Sequence, residues 1–361
     1  MSLIDKMSSK KIINSIQFLR GLAALAVVIH HTGGYVKRYF EPTVLLGDKF
    51  SIGFAGVDLF FVISGFIIHF TSKQYVNHPN KLTQYLKKRF IRVYPIYWII
   101  TTLLFVSSWV IIALLGKNIL SIGYPETASA YLQTYLLFPL HFAINPVTWT
   151  LSYEIFFYLC FGFVILSKRL WVIPALILVI SFYNIFLNIP EVVVVELSYF
   201  NFFFSGYNFE FMFGVLIFQF YEKMRLSNIV STVILVSSFI IIVFYGYGIG
   251  DYDSYQRVLA FGFPSGMMLI ALLNLENNHA ISFPKFTLTL GDASYALYLI
   301  HFPMMLFMNK LPELFGFTLV DSQEIWYSYF IIISIVIASV WVHKWVEIPI
   351  SKKLINLLSR E

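Results

Sequence analysis

Charge and cysteine are what this sequence has least of. Only 12% of its 361 residues are charged, against roughly a quarter in an ordinary soluble domain. A surface so poor in charge cannot face water over most of its area, which excludes a soluble globular enzyme and a disordered chain. The single cysteine, Cys160, permits no intramolecular disulfide, thiolate metal cluster or iron–sulfur site. No basic stripe is present: the net charge is +6, but Lys and Arg fall between apolar runs, so a nucleic-acid-binding domain is excluded too. No internal repeat is visible, which speaks against an inverted-repeat transporter. Met1 to Lys11 is short, polar and basic, but the apolar run after it is broken by Arg20 and has no small-x-small cleavage site. It reads as the start of a retained first helix rather than a cleaved leader.

What is abundant is apolar. Hydrophobic residues make up 58% of the chain, in runs of roughly 18–22, the length that spans a ~30 Å hydrocarbon core. The pattern predicts an all-α integral membrane protein of about ten transmembrane helices in a single bundle. The expected spans are 13–33, 54–71, 91–115, 149–167, 170–189, 206–221, 229–247, 258–274, 289–308 and 325–344. With the N-terminus in the cytoplasm, 18 of the 25 Lys and Arg residues fall on the cytoplasmic side and 6 outside, with Arg20 inside the first span. That asymmetry predicts both termini cytoplasmic. The outer stretch Lys117 to Val147 holds three prolines and has room for an interfacial piece. Residues 1–361 are expected to form one transmembrane domain with no appended soluble domain.

An ionisable residue inside a span is costly and is a functional hypothesis by default. Arg20 and His31 are eleven residues apart, three helical turns plus about 20°, so they share a face and are separated by about 16 Å along the axis. His30 points about 100° away. Gly21, Ala23, Ala24 and Ala26 let a second helix approach closely. Asp58 lies near the outer end of the second span, with Ser64 and Gly65 near mid-depth. Arg89 and Arg92 share a face at the mouth of the third span, where paired guanidiniums suit phosphate. Glu154 sits one turn into the fourth span, close to the expected depth of His31; a carboxylate there would orient the ring and raise its basicity. His301 falls near mid-membrane.

Each has a plainer structural account. Arg20 could snorkel, His31 could sit among headgroups, Asp58 could cap its helix, and Ser64-Gly65 could be a packing contact. Arg89 and Arg92 could be positive-inside flanking, Glu154 could face outer water, and His301 could be a packing histidine. Gly246–Gly250 reads as an outer glycine loop, since no Gly-Lys-Ser/Thr follows it. Pro349 is expected to stop or kink the last helix. Arg257, Tyr252 and Tyr255 are expected at the outer face, within reach of a sugar.

Taken in order, these segments resemble the acyltransferase-3 family of bacterial membrane acyltransferases. Arg20 and His31 match its Arg-x10-His pattern, and Gly53 to Phe66 its GVD-FFVISGF block. Arg89 to Tyr97 match RxxRxxPxY, and Trp149 to Glu154 match WxLxxE. Ser294 to His301 match SYxxYLxH, and Trp345 to Pro349 match the closing WxExP. Ile16 to Arg20 look most like the exopolysaccharide O-acetyltransferase branch. Unlike fused members, the sequence shows no SGNH-type domain.

The resemblance implies transfer of an acyl group, usually acetyl, from cytoplasmic acyl-CoA to a hydroxyl of an extracytoplasmic carbohydrate at a bacterial inner membrane. Acyl-CoA is then a co-substrate, with no permanently bound cofactor and no metal. The partners are the carbohydrate acceptor and the bilayer. Expected roles are His31 as general base, Glu154 and Asp58 as its orienters, and Arg20, Arg89 and Arg92 as acyl-CoA ligands. His301, Tyr97, Trp149 and Ser64 are supporting. A ping-pong route through an acylated His31 is equally compatible. The non-enzymatic rival is a transporter or flippase of glycan intermediates, in which intramembrane Arg, His, Glu and Asp are equally at home. A glycan polymerase and a different membrane O-acyltransferase fold are further rivals.

Overall fold

The computed structural model of the protein describes residues 13–39, 52–118, 120, 123–140, 143–186, 195–221, 223–245, 255–317 and 321–358. Lys6, Lys10, Lys11, the glycine loop 246–250 and Tyr252 lie outside them. All regular structure among the described residues is helical, as expected where backbone polar groups must be satisfied within the segment.

The helices are α1 (Asn14–Tyr39), α2 (Ala55–Ser72), α3 (Leu82–Leu115), α4 (Ala128–Tyr135), α5 (Trp149–Leu166), α6 (Val172–Phe186), α7 (Val195–Phe203), α8 (Tyr207–Tyr221), α9 (Asn228–Tyr245), α10 (Phe263–Asn277), α11 (Lys285–Asp292), α12 (Ser294–Leu314), α13 (Asp321–Val342) and α14 (Ile348–Leu358). Among the described residues, seven helical stretches are long and apolar enough to cross a membrane: Ile52–Tyr75, Pro79–Leu114, Pro146–Leu166, Lys168–Phe186, Asn228–Tyr245, Tyr255–Asn277 and Gln323–Leu357. The other three expected spans are helical but interrupted or short. α1 carries Arg20, His30 and His31; α8 has 15 residues; and the span expected at 289–308 breaks at Ala293, between α11 and α12.

One further expectation is corrected. Pro349 does not stop the last helix: the π-helical turn His343–Glu347 carries α13 into α14, and the proline sits in its first turn, where a missing N–H costs least. The stretch Lys117 to Val147, where an interfacial piece is expected, holds the short helix α4. It is strapped to α3 by Tyr97 Oη donating to the Thr134 carbonyl at 2.6 Å and Trp98 Nε1 to that of Tyr135 at 2.8 Å.

Small residues set the packing. A Cβ on Gly65 would collide with the Phe211 carbonyl, and one on Gly214 with that of Val62, so α2 and α8 lie backbone against backbone. Gly56 meets the Ala23 carbonyl and Gly291 that of Gln17, which seats α2 and α11 on α1.

The connections gather at two ends. The turn after α2 meets the end of α5 where Asn77 N donates to the Val164 carbonyl. The Glu276 carboxylate of α10 accepts the backbone N–H groups of Asn14 and Ser15, both at 2.9 Å, satisfying orphan donors at the start of α1. Tyr221 at the end of α8 donates to Asn277 at 3.1 Å. The loops that meet here hold Lys73, Lys81, Lys168, Arg169, Lys223 and Arg225, so this is the basic end of the bundle.

Candidate active site

Three arginines from two helices converge below the basic end. Arg89 Nη2 donates to Thr71 Oγ1 at 2.5 Å and Ser72 Oγ at 2.7 Å, which pins it to the end of α2. Its guanidinium lies over the rings of Tyr85 and Tyr158, at 5.2 and 5.1 Å from their centroids. Its Nε is buried without a partner. Arg92, one turn further along α3, makes no hydrogen bond or ion pair among the described residues. Arg20 reaches in from α1, buried, with Nη1 donating to Gln17 at 3.1 Å.

These arginines stand between two cavities. A vestibule of about 830 Å³ opens at the basic end. Lys81 and Lys88 add to the arginines along its wall, and Glu347 is its one carboxylate among the described residues. An inner chamber of about 70 Å³ continues into the bundle, walled by Val57, Ser64 and Ile68 of α2, Thr150, Glu154 and Tyr158 of α5, and Ser294, Tyr295 and Tyr298 of α12. Arg20, Arg89 and Arg92 line both, so the guanidiniums form a throat between the two cavities. With so many unsaturated donors and so little countercharge, the throat suits a polyanion.

His31 lies beyond the chamber. Gly53 abuts the Cβ of His30, which sets His31 about one helical turn past Val57, the outermost α2 residue of the chamber wall. Tyr298 bridges the gap: it lines the chamber, and its ring centroid is 5.6 Å from that of His301. His301 Nε2 is 3.2 Å from His31 Nδ1, and His31 Nδ1 is also 3.0 Å from the Val27 carbonyl. His301 Nδ1 is 2.7 Å from the Tyr298 carbonyl.

The expected carboxylate partners of His31 are therefore replaced by a second histidine. Glu154 accepts the Tyr158 hydroxyl and faces the chamber. Asp58 is fully buried and takes a bidentate pair from Arg257, with Nε to Oδ1 at 2.9 Å and Nη2 to Oδ2 at 2.7 Å. The reason is packing. Ala24 and Val28 of α1 interdigitate with Leu297 and Met305 of α12, so α12, not α5, faces His31 at that level. Arg257 is correspondingly no outer-face sugar contact: it is 2% exposed and stacked over Phe54 and Tyr207.

Of the supporting residues, Ser64 lines the chamber and Tyr97 is spent on α4. Trp149 keeps its ring half-exposed against Tyr153 and Tyr207. The sequence reading passed over Tyr158, Gln17 and Glu347. The hint for Glu347 was present, since a carboxylate closing an apolar span is itself unusual.

A family model described as an acyltransferase domain matches residues 13–344. The chain belongs to the acyltransferase-3 family. Among relatives of this acyltransferase, the exopolysaccharide production protein ExoZ of Rhizobium meliloti (strain 1021) is 28% identical over 274 residues, covering 73% of this chain and 80% of the relative. O-acetyltransferase OatA of Staphylococcus aureus (strain NCTC 8325 / PS 47) is 27% identical over 385 aligned positions, covering 97% of this chain. The chain spans 59% of that second relative's length. No solved structure matches. Of the acyltransferase-3 blocks, those holding Arg20, Ser64, Arg89 and Arg92, Glu154, Ser294 to Tyr298 and Glu347 all contribute to the walls of the two neighbouring cavities.

Proposed function

We propose that this acyltransferase moves an acetyl group from acetyl-CoA, entering at the basic end, to a hydroxyl of a carbohydrate arriving from the opposite end. The observation that carries this reading is the arginine throat between a wide vestibule and a narrow chamber that ends one turn short of His31. The CoA phosphates would rest on Arg20, Arg89 and Arg92, and the pantetheine arm would carry the thioester through the chamber. The Arg20-to-His31 distance along α1 is about 16 Å of uninterrupted helix, the scale such an arm must bridge.

In the transfer step the acceptor oxygen attacks the thioester carbonyl. Its proton passes to His31 as general base, the C–S bond breaks, and the CoA thiolate recovers a proton to leave as the thiol. The names of both relatives support a carbohydrate-directed O-acyl transfer. The clustering of basic connections at one end supports that end as cytoplasmic, in a ten-span protein of a bacterial inner membrane.

Calorimetry on the detergent-purified protein tests the donor half without knowledge of the acceptor. Saturable acetyl-CoA binding, weakened in Arg20→Ala and in Arg92→Ala, is the expected result. No binding by well-folded wild-type protein overturns the reading and moves a glycan transporter to first place. The base is tested by His31→Ala: acetyl transfer in membrane vesicles should fall by about 10²–10⁴-fold, with acetyl-CoA affinity retained. Wild-type turnover in that variant removes His31 from the mechanism.

A further inference from the structure

The two histidines sit in a contact pattern that leaves one consistent placement of protons. A backbone carbonyl can only accept. His301 Nδ1, 2.7 Å from the Tyr298 carbonyl, must then carry a hydrogen, and the neutral ring keeps a lone pair on Nε2. His31 Nδ1 faces that lone pair at 3.2 Å and the Val27 carbonyl at 3.0 Å. Both are acceptors, so His31 also carries its hydrogen on Nδ1. The reverse arrangement would set a bare ring nitrogen against a carbonyl oxygen at both rings. His31 Nε2 is thereby left as a lone pair, and no hydrogen bond among the described residues engages it. His301 is 1% exposed, so water does not compete for this arrangement.

We propose that His301 is a positioning residue for His31: it holds the ring with Nε2 as the reacting atom and accepts the Nδ1 proton of the imidazolium that forms. The inference rests on the acyl-transfer reading. When the acceptor hydroxyl gives its proton to His31 Nε2, the ring becomes cationic. Its Nδ1–H then strengthens its bond to His301 Nε2 and can cross to it. In that case the charge resides on His301, whose Nδ1–H is held by the Tyr298 carbonyl. The Nδ1 proton returns by the same bond, and His31 Nε2 gives the proton it took from the acceptor to the departing thiolate. One proton is taken and one returned, and neither ring is acylated. Two imidazoles in series share between two rings the positive charge that a single base would hold alone. The plainer alternative is that His301 only fills space between α1 and α12.

Two side chains separate these accounts. His301→Leu removes both the lone pair and the ability to take a proton. His301→Gln keeps an oxygen that can accept from His31 Nδ1 but cannot be protonated there. The assay is release of free CoA from acetyl-CoA by membrane vesicles from a strain lacking the native gene and expressing each variant; these membranes supply the natural acceptor whatever its structure. His301→Leu should lower kcat by about 10²-fold or more, with KM for acetyl-CoA little changed. His301→Gln should recover at least part of that loss. Equal kcat in all three proteins, or a rise in KM with kcat preserved, overturns the proposal.

A second measurement needs no turnover. Magic-angle-spinning NMR of the ¹⁵N-histidine-labelled protein, with His31→Gln to assign the signal, should find His31 protonated on Nδ1 and bare on Nε2 at neutral pH. A hydrogen on Nε2 instead would overturn the proposal even if the enzyme transfers acetyl groups. Failure of the acyl-transfer reading itself would appear separately, as absent CoA release by the wild type.

Discussion

Arg257 and Asp58 are the residues whose removal should hurt most without touching the chemistry. Each is almost wholly enclosed, and each is the other's counterion. Taking away one leaves a buried charge uncompensated, at a cost of about 3–5 kcal/mol. Arg257→Met alone should therefore lower the detergent melting temperature sharply. The pair Asp58→Leu with Arg257→Met should recover much of that loss, measured as a coupling energy in a double-mutant cycle. Additive losses would mean the two do not act as a pair. This contact was out of reach of the sequence, because 199 residues separate the partners and no periodicity links them. Arg20 and His31 were legible for the opposite reason: they lie on one helix, where a spacing of eleven fixes the shared face. Glu154 was legible as a carboxylate within an apolar helix, and its partner Tyr158 lies one turn on along the same helix; that His31 faces His301 instead of Glu154 depends on how α5 and α12 pack around α1.

The glycines govern the elements. Gly214 faces the Val62 carbonyl so closely that any side chain must push α8 off α2, whereas a Cβ on Gly162 would meet only Leu82 Cδ1 at 3.5 Å. Gly214→Leu should reduce stability by about 1–3 kcal/mol or more through overpacking, and Gly162→Ala should be neutral, read from thermal unfolding of the two purified variants. Equal melting temperatures would show that α2 and α8 separate readily. Element positions were readable where apolar runs are clean, as in α5 and α9. They were misread where local geometry intervenes. The break at Ala293 and the π turn at His343–Glu347 are decided by tertiary contacts that hydropathy does not encode. α7, which falls between the spans expected at 170–189 and 206–221, is of the same kind.

For the whole molecule, composition alone carried the class: an all-helical chain this poor in charge belongs in a bilayer. The number of crossings was less legible, because the helices that build the site are the ones whose polar residues spoil an apolar run. α1 and α12 fall short as simple spans for the same reason that they matter. The throat between vestibule and chamber has an electrical consequence. A donor that lodges its phosphates on Arg20, Arg89 and Arg92 pushes negative charge part of the way into the membrane's field. With the basic end cytoplasmic, an inside-negative potential favours that movement, and a full crossing is worth about 2.3 kcal/mol per charge per 100 mV. Acetyl-CoA should thus bind more tightly to proteoliposomes holding an inside-negative valinomycin–potassium potential, with the basic end facing the lumen and the ligand enclosed, than to the same vesicles after the potential is collapsed. An energised membrane would then load its own acyltransferase, tying surface modification to the cell's respiratory state.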